Sequence, residues 1–171
     1  SLRSLNSLCI NIRNVQKKLK DIKFFLKIID DNSKLDVIKL QKKIAIKNNI
    51  SFQISNLDID KYKNKMKFSN NKRMLAHNAH IYQSKEFALN SNYDLIYFVE
   101  DDYLHQHDAI EEMIFSYEKF STIYKKDIIM CPADYPFLYS KLDQTNILAG
   151  HKKHWRKVNE SLCTYLISRN I

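Results

Sequence analysis

The residues best suited to chemistry are three consecutive carboxylates, Glu100-Asp101-Asp102. Residues 95 to 99, just before them, are apolar, aromatic or β-branched without clean alternation, which is typical of a strand buried on both faces of an α/β sheet. Because unpaired carboxylates are costly to bury, we expect them where this strand emerges, at the carboxyl edge where open α/β sheets bind ligands. A hard divalent cation would hold such groups together. An acidic turn before a helix explains the same run, so both interpretations stay open at this point.

A second acidic cluster follows another apolar stretch. Residues 24 to 29 form a strand-like run that ends in Asp30-Asp31-Asn32-Ser33. In a parallel α/β sheet, the carboxyl ends of the strands lie at one edge, so two clusters far apart in sequence can line one crevice. This coincidence favours a functional site over an accidental acidic turn.

Alternating helix and strand patterns predict an α/β fold. The predicted helices are residues 2 to 20, 35 to 47, 71 to 89, 107 to 120 and 159 to 168. The predicted strands are residues 24 to 29, 50 to 54, 94 to 99 and 127 to 131, with a hairpin of residues 147 to 149 and 155 to 158. Residues 55 to 70 are predicted to be a loop. This order indicates one domain, residues 1 to 171, with a largely parallel sheet between helices.

Charge and composition limit the partners. The chain has 171 residues and a formal net charge of +9, so a nucleotide-sugar, a nucleic acid or an anionic membrane surface would each be attracted. The lysines are spread over residues 13 to 23, 39 to 47 and 61 to 73, which favours a solvated basic surface. We therefore expect no nucleic-acid partner, whereas a peripheral contact with the inner face of a membrane is compatible with the charge.

Scarce glycine and cysteine exclude several kinds of site. Gly150 is the only glycine, so the glycine-rich phosphate loops and the G-x-S-x-G nucleophile turn cannot be formed. The three cysteines are widely spaced and unpaired in pattern, which excludes a zinc knuckle or disulfide framework and favours a reducing, cytoplasmic location. No apolar run approaches the roughly 20 residues that span a bilayer.

Three segments in order resemble the GT-A nucleotide-sugar glycosyltransferases, especially family 2. Ile28 to Ser33 resembles that family's V-D-D-x-S strand end, and Phe98 to Asp102 resembles its D-x-D segment, with Glu100 in place of the first aspartate. Residues 71 to 89 resemble the N-x-G…A-x-N…A helix, although Lys72 stands where many members have glycine. The resemblance covers about residues 20 to 131 and implies a three-layer α/β/α sandwich. The family's first strand is missing here, so we expect an incomplete domain.

The resemblance implies roles for both acidic clusters. Asp102 would bind Mn²⁺ or Mg²⁺ directly, with Glu100 nearer the ribose or a metal-bound water. Asp101 lies between them and has the least defined role. Asp30, or Asp31 beside it, would accept hydrogen bonds from a uracil-like base or the ribose.

Further candidates lie outside these clusters. Arg73 would steady the base or the diphosphate, although an exposed helix cation explains it equally well. The family often supplies a late histidine to the metal, which makes His154 or His151 a candidate ligand. An inverting transferase needs a carboxylate that deprotonates the acceptor hydroxyl, for which Asp134 is the first choice and Glu160 the second.

These observations predict a metal-dependent glycosyltransferase. It would move a sugar from a UDP- or GDP-linked donor to a hydroxyl of a sugar or lipid-linked glycan, in surface polysaccharide or glycan synthesis. A metal-dependent phosphoesterase would also cluster acids at strand ends, but it would need a second carboxylate and histidine set. The remaining alternatives, which the sequence favours less, are a basic module that binds nucleic acid or a membrane surface and an inactive transferase fold.

Overall fold

The computed structural model describes residues 1–66, 71–140 and 145–170, and these residues form a mixed α/β chain. The helices are α1 (Leu2–Lys18), α2 (Leu35–Lys47), α3 (Ile59–Tyr62), α4 (Lys72–Leu89) and α5 (Ala109–Tyr124), with 3₁₀ turns at Lys63–Lys65 and Pro136–Tyr139. The strands are β1 (Phe25–Asp30), β2 (Ser51–Asn56), β3 (Leu95–Phe98), β4 (Ile129–Met130), β5 (Ile147–Ala149), β6 (His154–Arg156) and β7 (Tyr165–Ser168). Within the described ranges, no helix is long and apolar enough to cross a membrane.

The described strands pair in three small sheets. β1 and β2 are parallel, with Phe25 opposite Ser51 and Asp30 opposite Asn56. β7 lies between β3 and β4 and is antiparallel to both, so β3 and β4 point in the same direction. β5 and β6 form the predicted antiparallel hairpin. The expected single, mostly parallel sheet is therefore not observed among the described strands, which form one parallel pair and two antiparallel sheets.

The helix predicted for residues 159 to 168 is wrong, because the end of this segment is strand β7. Leu166 and Ser168 are buried while Tyr165 and Ile167 are only partly buried, which is the alternation of a strand. β7 pairs with β3 on one side and with β4 on the other, so the backbone groups of this short segment find hydrogen-bond partners on both sides. Residues 159 and 160, at the start of the predicted helix, have no regular structure.

The loop predicted for residues 55 to 70 is also partly wrong. Asp58 caps the start of α3, because its side chain accepts a hydrogen bond from the Lys61 N–H at 3.0 Å. Tyr62, 2% exposed, packs with Met66 and Ala79 in a small core between α3 and α4. The polar residues around Tyr62 gave no sequence indication that its side chain would be buried. Residues 67 to 70 lie outside the described part of the chain.

Helices contact both faces of β1. Leu26 is buried in the main core together with Ile12 of α1 and Met113 of α5. On the other face, the Phe25 ring stacks on Phe87 of α4 with centroids 6.0 Å apart. Successive residues of a strand point to opposite faces, so α4 lies on one side of β1 and the main core on the other. This packing fixes the end of β1, where the first acidic cluster lies.

Candidate active site at the ends of β1 and β3

β1 and β3 belong to separate sheets, but they approach each other at both ends. Near their amino ends, Phe25 stacks on Tyr93 with ring centroids 5.9 Å apart. Beyond their carboxyl ends, Asp30, Asp31 and Asp101 all influence the pKa of His80 on α4. Residues of both acidic clusters therefore lie close enough to His80 for their charges to act on it.

The two aspartates after β1 have different surroundings. Asp30 is 5% exposed, and its Oδ2 accepts a hydrogen bond from the Ser33 N–H at 2.8 Å. Asn32 adopts a positive φ of 57°, which an asparagine tolerates in a tight turn. Asp31 is exposed beside it. Asp30 thus holds the turn together, while Asp31 presents a carboxylate that a ligand can reach.

Of the three carboxylates after β3, the first is half-buried and the other two are exposed. Glu100 is half-buried, and its N–H donates a hydrogen bond to the Thr164 hydroxyl at 3.3 Å. Asp101 has a side chain that is 94% exposed, with Oδ2 2.7 Å from the Ser1 nitrogen. Asp102 is exposed, and among the residues the structure describes it has no hydrogen-bond or ion-pair partner.

The oxygen donors in this run fit a hard cation that is completed by a ligand. In the described ranges, no three His, Cys, Asp or Glu side chains are grouped so that they could hold a metal ion. Magnesium sites in nucleotide-dependent enzymes commonly use one or two carboxylates together with substrate phosphates and waters. Asp102, exposed and without a partner among the described residues, and Glu100 would provide that smaller set.

His80 is a site residue for which the sequence analysis predicted no role. It is half-buried on α4, whereas His77 one turn earlier is exposed. Burial lowers the pKa of His80, and the charges of Asp31, Asp101 and Asp30 oppose this lowering without cancelling it. His80 is therefore largely neutral at pH 7 and offers both a donor and an acceptor between the acidic clusters. In the sequence, only its position on a helix that follows the first acidic cluster pointed to a place near the site.

Arg73 lies in the first turn of α4. Its N–H donates to the Asn71 side-chain oxygen at 2.9 Å, which caps the helix, and its side chain is exposed. The described contacts do not connect Arg73 with the acidic clusters. The expectation that it steadies a base or a diphosphate stays a prediction.

Two tyrosines connect the segment after β4 with the acidic run. The hydroxyls of Tyr103 and Tyr135 lie 2.7 Å apart. Burial raises the pKa of Tyr135, and the hydrogen bond to Tyr103 and the nearby charge of Glu100 raise it further. Tyr135 stacks on Phe137 with ring centroids 5.6 Å apart. An aromatic surface therefore borders Glu100.

Asp134, the first candidate for a catalytic base, belongs to an exposed three-residue cluster. Its Oδ1 is 3.0 Å from a guanidinium nitrogen of Arg156, and its Oδ2 accepts a hydrogen bond from the Tyr139 hydroxyl. The Arg156 guanidinium also lies 4.0 Å from the centre of the Tyr139 ring. The Tyr139 hydrogen bond, together with Arg156, lowers the pKa of Asp134. Asp134 is therefore ionised at neutral pH but is a weak proton acceptor while these partners stay in place.

The β5–β6 hairpin is fixed to α5 by a buried carboxylate. Glu112, 4% exposed, accepts hydrogen bonds from Trp155 Nε1 at 2.9 Å and from the Ser116 hydroxyl at 2.8 Å. It also accepts from the backbone N–H groups of His151 and Lys152, at 3.1 and 2.6 Å. Burial alone would raise the pKa of Glu112, but these hydrogen bonds outweigh it and the pKa is lowered.

The late histidines are not connected with the acidic run by the described contacts. His151 stacks on Phe115 with ring centroids 4.6 Å apart, and its Nε2 is 3.6 Å from Glu111 Oε1. His154 is exposed on β6. The predicted second base, Glu160, is exposed in the irregular segment between β6 and β7. It does not lie in the early turn of a helix, because that helix is absent from the described structure of this segment.

Glu111 should make stability depend on acid pH. The hydrogen bond from Lys18 Nζ, at 2.5 Å, lowers the pKa of Glu111 to about 2 against the opposing effect of burial, and Lys152 adds to the lowering. A carboxyl whose pKa is lower in the folded state stabilises that state above its unfolded pKa, and this stabilisation disappears as pH falls through the folded pKa. The contribution should therefore be full above about pH 4.5 and be lost towards about pH 2.

Urea unfolding of the wild-type protein and of Glu111→Gln at pH 6, 4 and 3 measures this contribution. The glutamine cannot titrate, so the difference in the free energy of unfolding between the two proteins should shrink as pH falls. A difference that is the same at all three pH values would contradict the assignment.

No protein-family model, no curated protein and no solved structure matches this chain.

Proposed function

We propose that this chain is a metal-dependent glycosyltransferase with a GT-A fold similar to family 2. It would transfer a sugar from a UDP- or GDP-linked donor to a hydroxyl of a sugar or a lipid-linked glycan, as in surface polysaccharide synthesis on the cytoplasmic side. The observation that carries the proposal is that Asp30 and Asp31 of one acidic cluster and Asp101 of the other all act on His80, at the carboxyl edge of β1. Ligands of open α/β sheets bind at this edge.

The arrangement of strands and helices supports a three-layer α/β/α sandwich within this proposal. α4 contacts one face of β1, and the main core with α1 and α5 lies on its other face. β3 and β4 share one direction, and α5 connects them as a crossover helix would. Phe25 and Tyr93 stack near the amino ends of β1 and β3, and acids after both strands act on His80, so the carboxyl ends can form a single donor-binding crevice.

The exposure of each carboxylate suggests its role. Asp31 is exposed and would accept hydrogen bonds from the base or the ribose, while the buried Asp30 keeps the turn in shape. Asp102 and Glu100 would hold Mn²⁺ or Mg²⁺. The bound cation would neutralise the charge that develops on the diphosphate as it leaves. His80, neutral and between the two clusters, can donate a hydrogen bond to an oxygen of the donor.

The acceptor side is assigned to the segment after β4. The Tyr135 and Phe137 stack offers an aromatic surface for a sugar ring beside Glu100. Asp134 is the proposed base in an inverting reaction, with Glu160 as the second candidate. Asp134 would become a stronger proton acceptor if the acceptor displaced Arg156 or Tyr139 from it, because both partners lower its pKa.

A thermal-shift experiment with UDP or GDP, with and without Mn²⁺, tests the proposed donor site. At a nucleotide concentration 100 times its Kd, the melting temperature should rise by about 5–10 °C when Mn²⁺ is present and by much less without it. Asp102→Asn should lose the Mn²⁺-dependent part of the shift. Asp36→Asn, at an exposed carboxylate on α2, is the matched control and should keep it.

Release of the nucleoside diphosphate from UDP- and GDP-sugars then tests the reaction. We expect Mn²⁺-dependent release by the wild-type protein and by Asp36→Asn but not by Asp102→Asn. Nucleotide binding without metal dependence, or equal behaviour of the two variants, would refute the proposed site. Binding without turnover would support the donor site and favour an inactive transferase fold.

A further inference from the structure

A groove lies at the edge of the β1–β2 sheet opposite the acidic cluster that follows β1. The groove is lined by Arg13 and Lys17 of α1 and by Lys20 and Ile22 of the segment between α1 and β1. Asn48, at the end of α2, completes this part of the wall. The groove has a volume of about 450 Å³. Because it lies before the amino ends of β1 and β2, the length of a six-residue strand, about 20 Å, separates it from Asp30.

The groove is cationic. Arg13, Lys17 and Lys20 are spaced by four and three residues, so they extend from one side of α1 towards the turn that follows it. Of the residues described, those that line the groove include no aspartate or glutamate. Three cations without a carboxylate among them attract an anion, and an arginine with two lysines is a common set for phosphate.

Two residues that line the groove each contain a buried polar atom without a hydrogen-bond partner in the described part of the chain. In the described ranges, three buried side-chain nitrogen or oxygen atoms have no hydrogen-bond partner, and two of them, Arg13 Nε and Asn48 Oδ1, belong to residues that line this groove. Asn48 is only 1% exposed, and its Nδ2 is already used in a 2.9 Å hydrogen bond to the Ile44 carbonyl. Buried polar atoms in native proteins are almost always paired, so a ligand held in this groove would supply partners for these two side chains once they turn towards it.

We propose that this groove binds a phosphate ester that carries a free hydroxyl. The phosphate oxygens would accept hydrogen bonds from Arg13, Lys17 and Lys20, and the hydroxyl would donate to Asn48 Oδ1 once that side chain turns towards the groove. A sugar phosphate or the headgroup of a glycerophospholipid has this combination. The groove is separate from the acidic site, so the inference does not depend on the proposed transferase activity.

Titration calorimetry with glycerol 3-phosphate tests the groove directly. We expect Lys17→Gln, at an exposed side chain, to weaken binding at least tenfold. Arg13→Lys keeps the charge but removes Nε, and it should weaken binding as well. Lys42→Gln, which removes an exposed cation from α2 outside the groove, is the matched control and should change the Kd less than twofold.

Co-sedimentation with phosphatidylglycerol vesicles distinguishes a lipid headgroup from a small phosphate ester. Vesicle binding that is lost in Lys17→Gln and kept in Lys42→Gln would identify the headgroup as the source of the phosphate. Binding of glycerol 3-phosphate alone with the same variant pattern would identify a small phosphate ester. No binding of either ligand, or equal weakening by Lys17→Gln and Lys42→Gln, would overturn the proposal.

Discussion

Replacing Glu112 with glutamine should lower the free energy of unfolding by about 2–4 kcal/mol. The carboxylate accepts four hydrogen bonds from the Trp155 indole, the Ser116 hydroxyl and two backbone N–H groups. Hydrogen bonds to a buried charged acceptor contribute about 1.5–3 kcal/mol each, and an amide nitrogen in place of either oxygen would face a donor. Part of this loss is recovered because the neutral glutamine costs less to bury than a carboxylate.

Urea unfolding at pH 7 measures this loss. Glu118→Gln, at an exposed acid on the same helix, is the matched control and should change stability by less than about 0.5 kcal/mol. Trp155 is the only tryptophan in the chain, so its fluorescence reports separately on the β5–β6 hairpin. Equal effects of Glu112→Gln and Glu118→Gln would show that the network contributes nothing to stability.

The Glu112 network also affects the proposed acceptor side. Arg156, which pairs with Asp134 at 3.0 Å, lies on β6 of the same hairpin. If the hairpin separates from α5, Asp134 loses the guanidinium that lowers its pKa. The Glu112→Gln variant should therefore show a higher Asp134 pKa, which NMR titration of the carboxyl carbon can detect.

The local parts of the fold were predictable from the sequence. β1 and β3 were recognised because their apolar runs end abruptly in acids, and α1 because its leucines and isoleucines repeat at helical spacing. β7 was not recognised from the sequence, because four residues are too few to distinguish the two-residue period of a strand from the 3.6-residue period of a helix. Its identity depends on pairing with β3 and β4, which only the folded chain provides.

The candidate site divides in the same way. The sequence predicts that the two acidic clusters lie at one edge, because each cluster directly follows a recognisable strand. His80 could not, because its burial beside three aspartates depends on how α4 packs on β1. Glu112 had the sequence pattern of an ordinary acid in the first turn of a helix. Three of its four hydrogen-bond donors lie about 40 residues later, so no local signal marked it as the anchor of a hairpin.

Gly150→Ala should destabilise the protein by about 3 kcal/mol, although it adds only one methyl group. A Cβ at this position would lie 2.5 Å from Glu112 Oε1, 2.5 Å from Ser116 Oγ and 2.6 Å from Trp155 Cδ1. Gly150 does not have a positive φ, so close approach to α5, and not backbone conformation, requires the glycine. Overpacking of this kind typically costs about 1–3 kcal/mol, and displacement of Glu112 would add the loss of its hydrogen bonds.

A double-mutant cycle with Ser116→Ala distinguishes this steric cause from a general weakness of the hairpin. Removal of the Ser116 hydroxyl eliminates one of the two 2.5 Å contacts, so Gly150→Ala should cost about 1 kcal/mol less in the Ser116→Ala background than in the wild type. Urea unfolding of the four proteins gives this coupling energy. Additive effects would mean that the methyl group is accommodated away from α5, and the close approach of the hairpin to Glu112 would then not explain why the only glycine of the chain is at this position.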